Sequence, residues 1–208
     1  MQTIRIFISS PGDVSDERNK ARHVIEQLQR YYSKVRLIPV FWEELALPAT
    51  ASFQATIDFI LQQEPIDIAV FIVWSRLGNP LGPAITRLDG TQYRSGTERE
   101  FDLMLTAFEQ SGRRRPAIFA YTRSDDTSFR QKLVNCPAEF LEETIQQRKL
   151  AESFIREQFK DADGRNLRAY HSYREPVTFA QRLHTHLRQE IDKQLGEVDA
   201  TPRWLDEP

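Results

Sequence analysis

Residues 66–74, Ile-Asp-Ile-Ala-Val-Phe-Ile-Val-Trp, form a near-continuous apolar run. A strand apolar on both faces is the mark of a parallel sheet covered by helices on each side. The flanking sequence agrees. Residues 4–9, Ile-Arg-Ile-Phe-Ile-Ser, predict a first strand that runs into the polar turn Ser10-Pro11-Gly12-Asp13. A helix is expected from Asp13, with Asp16 three residues on as a capping-box analogue. Ala21, Val24, Ile25 and Leu28 follow at helical spacing. A second strand over 35–42 ends at Glu43-Glu44. A Pro/Ala/Thr loop, 45–51, leads to Ser52, placed to cap a helix containing Phe53, Ile57, Ile60 and Leu61.

After the central run comes a loop, 75–94, with three Gly and two Pro. Loops of that length inside a compact domain tend to carry function or to move. A helix over 97–110 sets Phe101, Leu105 and Phe108 on one face, and 117–122 reads as a fourth strand. Residues 125–135 read as a loop and short helix, 137–159 as a long charged helix, and Asp161-Ala162-Asp163-Gly164 as a turn. A fifth strand over 167–172 and a last helix over 177–195 complete the pattern. The alternation predicts an α/β fold of the flavodoxin-like, doubly wound kind. It has a five-stranded, mostly parallel sheet in the order 2-1-3-4-5, with the 137–159 helix inserted before strand five. Residues 1–195 form one domain. Residues 196–208, with two prolines and Pro202-Arg203-Trp204, read as a linker or tail.

Composition narrows the function. The 208 residues carry 28 basic and 30 acidic side chains, so no duplex-binding surface is indicated. The basic run Arg113-Arg114-Arg115 precedes a strand and reads as a solvated loop. One cysteine, Cys136, excludes an internal disulfide framework and suits a reducing compartment. No signal-peptide pattern and no membrane-length apolar run occur, so a cytoplasmic protein with no membrane contact is expected. His184 and His186 are two apart on a helix and make a poor metal pair, and no metal site is expected. Neither a dinucleotide fingerprint nor a Walker-type loop is present.

In such sheets the ligand crevice lies at the carboxyl ends of the strands, where the order reverses. Ser9, Ser10, Gly12 and Asp13 end strand one. Trp42 ends strand two, and Trp74, Ser75 and Arg76 end strand three. The helix opened by Ser95-Gly96-Thr97-Glu98-Arg99-Glu100-Phe101 starts beside them. Ser95 and Glu98 have capping-box spacing, with Ser95 accepting from the Glu98 amide and Glu98 reaching back to Ser95. Glu100 is not used by the cap. It is either a solvated first-turn acid or a catalytic carboxylate. In the second role it would stabilise or attack an oxocarbenium-like centre while hydroxyls of Ser9, Ser10, Ser95 or Thr97 hold a ribose. One carboxylate suffices where the leaving group is nicotinamide, which departs neutral and needs no proton. Trp42 and Trp74 either stack on a base or belong to the core. Arg76 is either a phosphate partner or a surface arginine.

Phe7-Ile8-Ser9-Ser10-Pro11-Gly12-Asp13-Val14 with Glu17-Arg18, then Trp74-Ser75-Arg76-Leu77-Gly78, then Ser95 to Phe101, carry a resemblance. They resemble the TIR-like domain at the N-terminus of bacterial signal-transduction NTPases, over roughly residues 3–122. The resemblance implies a flavodoxin-like fold and a place in bacterial anti-phage immunity. It implies activation by self-association, and continuation into or partnership with an NTPase and sensor module. Several TIR domains cleave NAD with a glutamate on the helix after strand three; here that glutamate would be Glu100, with NAD as substrate and no cofactor. Other TIR domains are non-enzymatic scaffolds. The Gly96-Thr97-x-x-Glu100 spacing also resembles nucleoside deoxyribosyltransferases, in which a similarly placed glutamate attacks the sugar. The chain departs from the TIR pattern in its longer loop after strand three and its additional late helix.

Overall fold

The computed structural model describes residues 1–41, 65–83 and 85–196. The elements in chain order are β1 (Gln2–Ser9), a 3₁₀ turn (Gly12–Val14), α1 (Ser15–Tyr31), β2 (Val35–Phe41), β3 (Ile68–Val73), α2 (Gly96–Gln110), β4 (Ala117–Arg123), α3 (Asp126–Val134), α4 (Ala138–Phe159), β5 (His171–Tyr173) and α5 (Pro176–Gln194). The expected helix capped by Ser52 and the tail over 197–208 lie outside the described residues.

The five strands form one sheet in the order β2-β1-β3-β4-β5. Every neighbouring pair is parallel, where the sequence suggested only a mostly parallel sheet. This is the flavodoxin-like arrangement, with α4 entering before β5 as expected. All six residues of β3 are buried, because it is paired on both edges and covered on both faces. The pleat divides them by parity. Ile68, Val70 and Ile72 join Ile4, Ile6 and Ile8 of β1 against Val24, Ile25 and Leu28 of α1 and Leu183 and Leu187 of α5. Ala69, Phe71 and Val73 join Phe7 against Phe101 and Met104 of α2 and Phe154 of α4. The buried face of α2 is thus Phe101 and Met104; Leu105 only packs at its margin, and Phe108 is half-buried.

Several boundaries differ from the sequence pattern for physical reasons. α1 starts at Ser15 without a side-chain cap, because the Asp13 carboxylate is turned toward the loop after β3. β5 has three residues rather than six. The segment before it is held instead by a Lys160–Asn166 bridge across the turn at Gly164, whose φ is 79°. The basic run is a surface turn with two members ion-paired: Arg113 Nε with Glu109 Oε2 at 2.9 Å, and Arg115 Nη1 with Asp67 Oδ1 at 2.5 Å. Asp67 is buried at the amino end of β3, and its other oxygen accepts from Arg5 N at 2.8 Å.

The second core rests on aromatic edges. Phe101 meets Phe71 at 5.1 Å, and Phe154 and Phe159 at 5.4 Å each, between ring centroids. Phe101→Ala is expected to destabilise the domain by about 3–5 kcal/mol, the usual cost of emptying a buried aromatic position. A urea unfolding midpoint unchanged from wild type would contradict this packing.

Candidate functional site

The turn after β1, the loop after β3 and the first turn of α2 enclose a cavity of about 560 Å³. Its wall includes Ser10, Pro11, Gly12, Arg76, Thr97 and Glu100, with the loop segments 78–82 and Ile85 closing the far side. The volume falls in the range of small-molecule sites.

The turn after β1 is rigid because its carbonyls are occupied. Arg18 donates from Nε to Ser10 Oγ at 2.9 Å, and from Nη2 to the carbonyls of Ser10 at 3.1 Å and Pro11 at 3.0 Å. The adjoining loop is tied to it by Asp13. Asp13 Oδ2 accepts from the Ser75 amide at 2.9 Å and the Ser75 hydroxyl at 2.7 Å, and Lys132 Nζ donates to the same hydroxyl at 2.8 Å. Ser75 is fully buried by these bonds.

Gly78 then brings the loop against α2. Its φ is +110°, and a Cβ there would stand 3.3 Å from Thr97 Oγ1 and 3.6 Å from Ser95 Cβ. The positive φ favours glycine, and a Cβ would also crowd the Thr97 hydroxyl. The Gly96 amide donates to the Asn79 carbonyl at 3.3 Å, which fixes the opening of the helix to the same loop.

Ser95 caps α2, accepting from the Glu98 amide at 3.2 Å. The reciprocal half of the box is displaced by one residue: Glu98 Oε2 accepts from the Arg94 amide at 2.7 Å, not from Ser95. The Glu98 carboxylate is buried in an ion-paired cluster, with Arg94 Nη2 at 2.5 Å and Arg87 Nη2 at 3.1 Å from Oε1. Burial pushes its carboxyl up, but the Arg94 hydrogen bonds and the charges of Arg94 and Arg87 outweigh it, so it lies below the ordinary range.

Glu100 lies two residues on, about 200° around the helix axis. It points the other way, toward the sheet. Its Oε2 accepts from Ser9 Oγ at 2.6 Å, and the side chain is buried within the cavity wall. Ser9 follows Phe7 in parity, so β1 presents it to α2. Arg76, held by Asn79 Oδ1 at 3.0 Å, stands across the cavity with its side chain 36 % exposed.

Of the residues singled out in the sequence, Ser10, Gly12, Arg76, Thr97 and Glu100 meet in this cavity. Ser9 stands behind Glu100. Asp13, Ser75 and Ser95 are outside the wall and hold its backbone. Trp74 follows the other parity. It packs with the α1/α5 side, lies under the Arg123 guanidinium at 4.3 Å, and lines a neighbouring cavity. Trp42 lies outside the described residues. The composition of the loop pointed to Asn79, Pro80, Leu81, Gly82 and Ile85 as a group, though not singly. Lys132 gave no local signal, because its partner is fixed only by the fold; Arg18 was among the residues that carried the resemblance but was not singled out for the site. His186 is half-buried. Its Nδ1 shares a hydrogen bond with Tyr121 OH at 2.7 Å, and its ring lies 4.3 Å from that of His171.

No protein-family model and no curated protein matches the chain. Among solved structures, a conserved protein from Enterococcus faecalis V583 is similar to it. The two are 14% identical, and the match covers 88% of this chain and 99% of that chain, with a TM-score of 0.35.

A carboxyl whose folded pKa is depressed adds stability above its unfolded value near 4.3 and loses it as pH falls through the folded value. Glu98→Gln is therefore expected to destabilise the domain by about 2 kcal/mol at neutral pH. The gap from wild type should close as the pH drops below about 4. Thermal unfolding of both proteins across that range measures it; a gap that widens toward acid would refute the assignment.

Proposed function

We propose that this chain cleaves the bond between nicotinamide and ribose in NAD or a related nucleotide. Glu100 is the catalytic group, and self-association is the trigger, in an effector role in bacterial anti-phage immunity. The observation that carries the reaction is the buried Glu100 carboxylate, oriented by the Ser9 hydroxyl at 2.6 Å in the wall of a cavity of nucleotide size. The immune role rests on the sequence resemblance alone.

The chemistry follows from the residues. In NAD the C1′–N bond breaks with its electron pair moving to the pyridine nitrogen, so nicotinamide leaves neutral. Positive charge develops on C1′ and the ring oxygen of the ribose. A fixed carboxylate at that position stabilises the charge or bonds to C1′, and water completes the hydrolysis. Ser9 holds the carboxylate without needing to reorganise. The Ser10 and Thr97 hydroxyls in the wall suit ribose oxygens. The amino end of α2 at Gly96 and the Arg76 guanidinium suit the phosphates.

Glu100→Gln keeps the shape and removes the charge. It is expected to lower NAD turnover by about 10²–10³-fold or more, with an unchanged melting temperature. Ser9→Ala is expected to lower it by about tenfold, through misorientation of the carboxylate. Turnover is followed as nicotinamide release by the concentrated domain, with a crowding agent present. A folded Glu100→Gln protein with full turnover would sink the catalytic role.

A second reading is a non-enzymatic scaffold that assembles with copies of itself. It is favoured by α3, which buries none of its side chains, and by Val134, Phe140 and Leu141, which are 84%, 52% and 38% exposed where α3 meets α4. It predicts concentration-dependent sedimentation that Val134→Glu with Phe140→Glu abolishes, and no nicotinamide release by the assembled protein. Release that rises with assembly and disappears in Glu100→Gln excludes it.

A further inference from the structure

A second cavity of about 390 Å³ lies on the other side of the β3 exit, over the carboxyl ends of β3 and β4. Its floor is Trp74 and Arg123, its wall is the carboxyl-terminal half of α4, and its rim is the turn around Gly164 with Tyr170. We propose that it binds a mononucleotide, the phosphate on Arg156 and Lys160 and the planar ring against Trp74 and Tyr170.

The charge balance of the cavity argues for an anion. Four cations line it against two acids, Glu152 and Asp161. Two of the cations are committed. Arg123 pairs with Glu17 at 3.3 Å and Asp125 at 2.8 Å. Arg148 pairs with Asp126 at 3.0 Å and Glu152 at 2.6 Å. Among the described residues no carboxylate stands within ion-pairing distance of Arg156 or Lys160; Arg156 donates to Ser153 Oγ at 3.2 Å, and its charge is felt by Glu157. Two cations on one concave surface with no close ion pair attract a phosphate.

The aromatic members argue for a ring. Trp74 and Tyr170 both line the cavity, together with the apolar Ala151 and Ile155. The Trp74 indole Nε1 is buried and has no hydrogen-bond partner. A buried donor left unpaired costs free energy unless water or a ligand accepts from it. Cations for a phosphate and two aromatic side chains for a planar ring, lining one cavity, suit a nucleoside monophosphate. The cavity is smaller than the Glu100 cavity, in keeping with half a dinucleotide.

The test is isothermal titration of the whole chain with AMP, adenosine and inorganic phosphate as separate probes. AMP is expected to bind at least about tenfold more tightly than either fragment. Arg156→Ala with Lys160→Ala is expected to weaken AMP by at least about tenfold. Both side chains reach solvent, so the double variant should melt with wild type. AMP can also enter the Glu100 cavity through Arg76, so the titration is repeated in Arg76→Ala, where AMP binding that Arg156→Ala with Lys160→Ala removes is expected to remain. AMP affinity lost in Arg76→Ala but kept in the double variant places the nucleotide in the other cavity and overturns the proposal. So does a wild-type protein that takes up no AMP. Inorganic phosphate binding as tightly as AMP removes the role of the aromatic wall, and with it the ligand class. None of these outcomes depends on NAD cleavage, so the proposal stands or fails separately from the catalytic reading.

Discussion

β3 is hydrogen-bonded to β1 on one edge and β4 on the other, and helices cover both its faces. Nothing polar fits along such a strand, because every side chain is removed from water and the backbone already satisfies itself. Polar chemistry is therefore displaced to where the strand ends. Asp67 marks the amino end, neutralised by Arg115. Trp74, Ser75 and Arg76 mark the carboxyl end, and the chain needs some twenty residues to return to α2. Both cavities lie at that exit, at the carboxyl ends of the strands, where open α/β sheets place their crevices.

The two glutamates of α2 show how position on one helix decides the fate of an acid. Glu98 faces the loop and meets two arginines, so its burial is compensated within the structure. Glu100 faces the sheet and meets a serine hydroxyl at the edge of a cavity. The first arrangement holds the loop to the helix. The second sets a carboxyl group in the wall of a space large enough for a ligand.

Parity made much of this legible before any coordinates. The run at 66–74 announces a central strand, and alternation along it assigns Ile68, Val70, Ile72 and Trp74 to one face and Ala69, Phe71 and Val73 to the other. The same rule places Ser9 with Phe7, on the α2 side. Carried one residue further, it also separates Trp74 from the Glu100 cavity, an implication that grouping residues by sequence neighbourhood missed. Other features had no such rule behind them. Lys132 reaches Ser75 across 57 residues, and Tyr173 reaches Glu17 across 156. Such pairs follow from the assembled sheet, not from any local pattern. The fifth strand was expected, but its bounds were not legible, since three paired residues leave almost no periodic signal.

The helix inserted before β5 is best understood through what it holds. Ala151, Phe154 and Phe159 of α4 enter the second core beside Phe101. One turn earlier the helix turns polar groups onto the β3 exit. Gln147 Oε1 accepts from the Leu77 amide at 3.2 Å, and Arg148 Nη1 donates to the Trp74 carbonyl at 3.4 Å. A loop leaving a buried strand exposes amides and carbonyls that the sheet no longer satisfies, and α4 supplies partners for two of them. Asp13 supplies another at Ser75. The exit is thus pinned from the β1 turn, from α3 through Lys132, and from α4. Residues 74–78 place Trp74 in one cavity and Arg76 and Gly78 in the other. A displacement of this short segment cannot reshape one cavity without moving the wall of its neighbour.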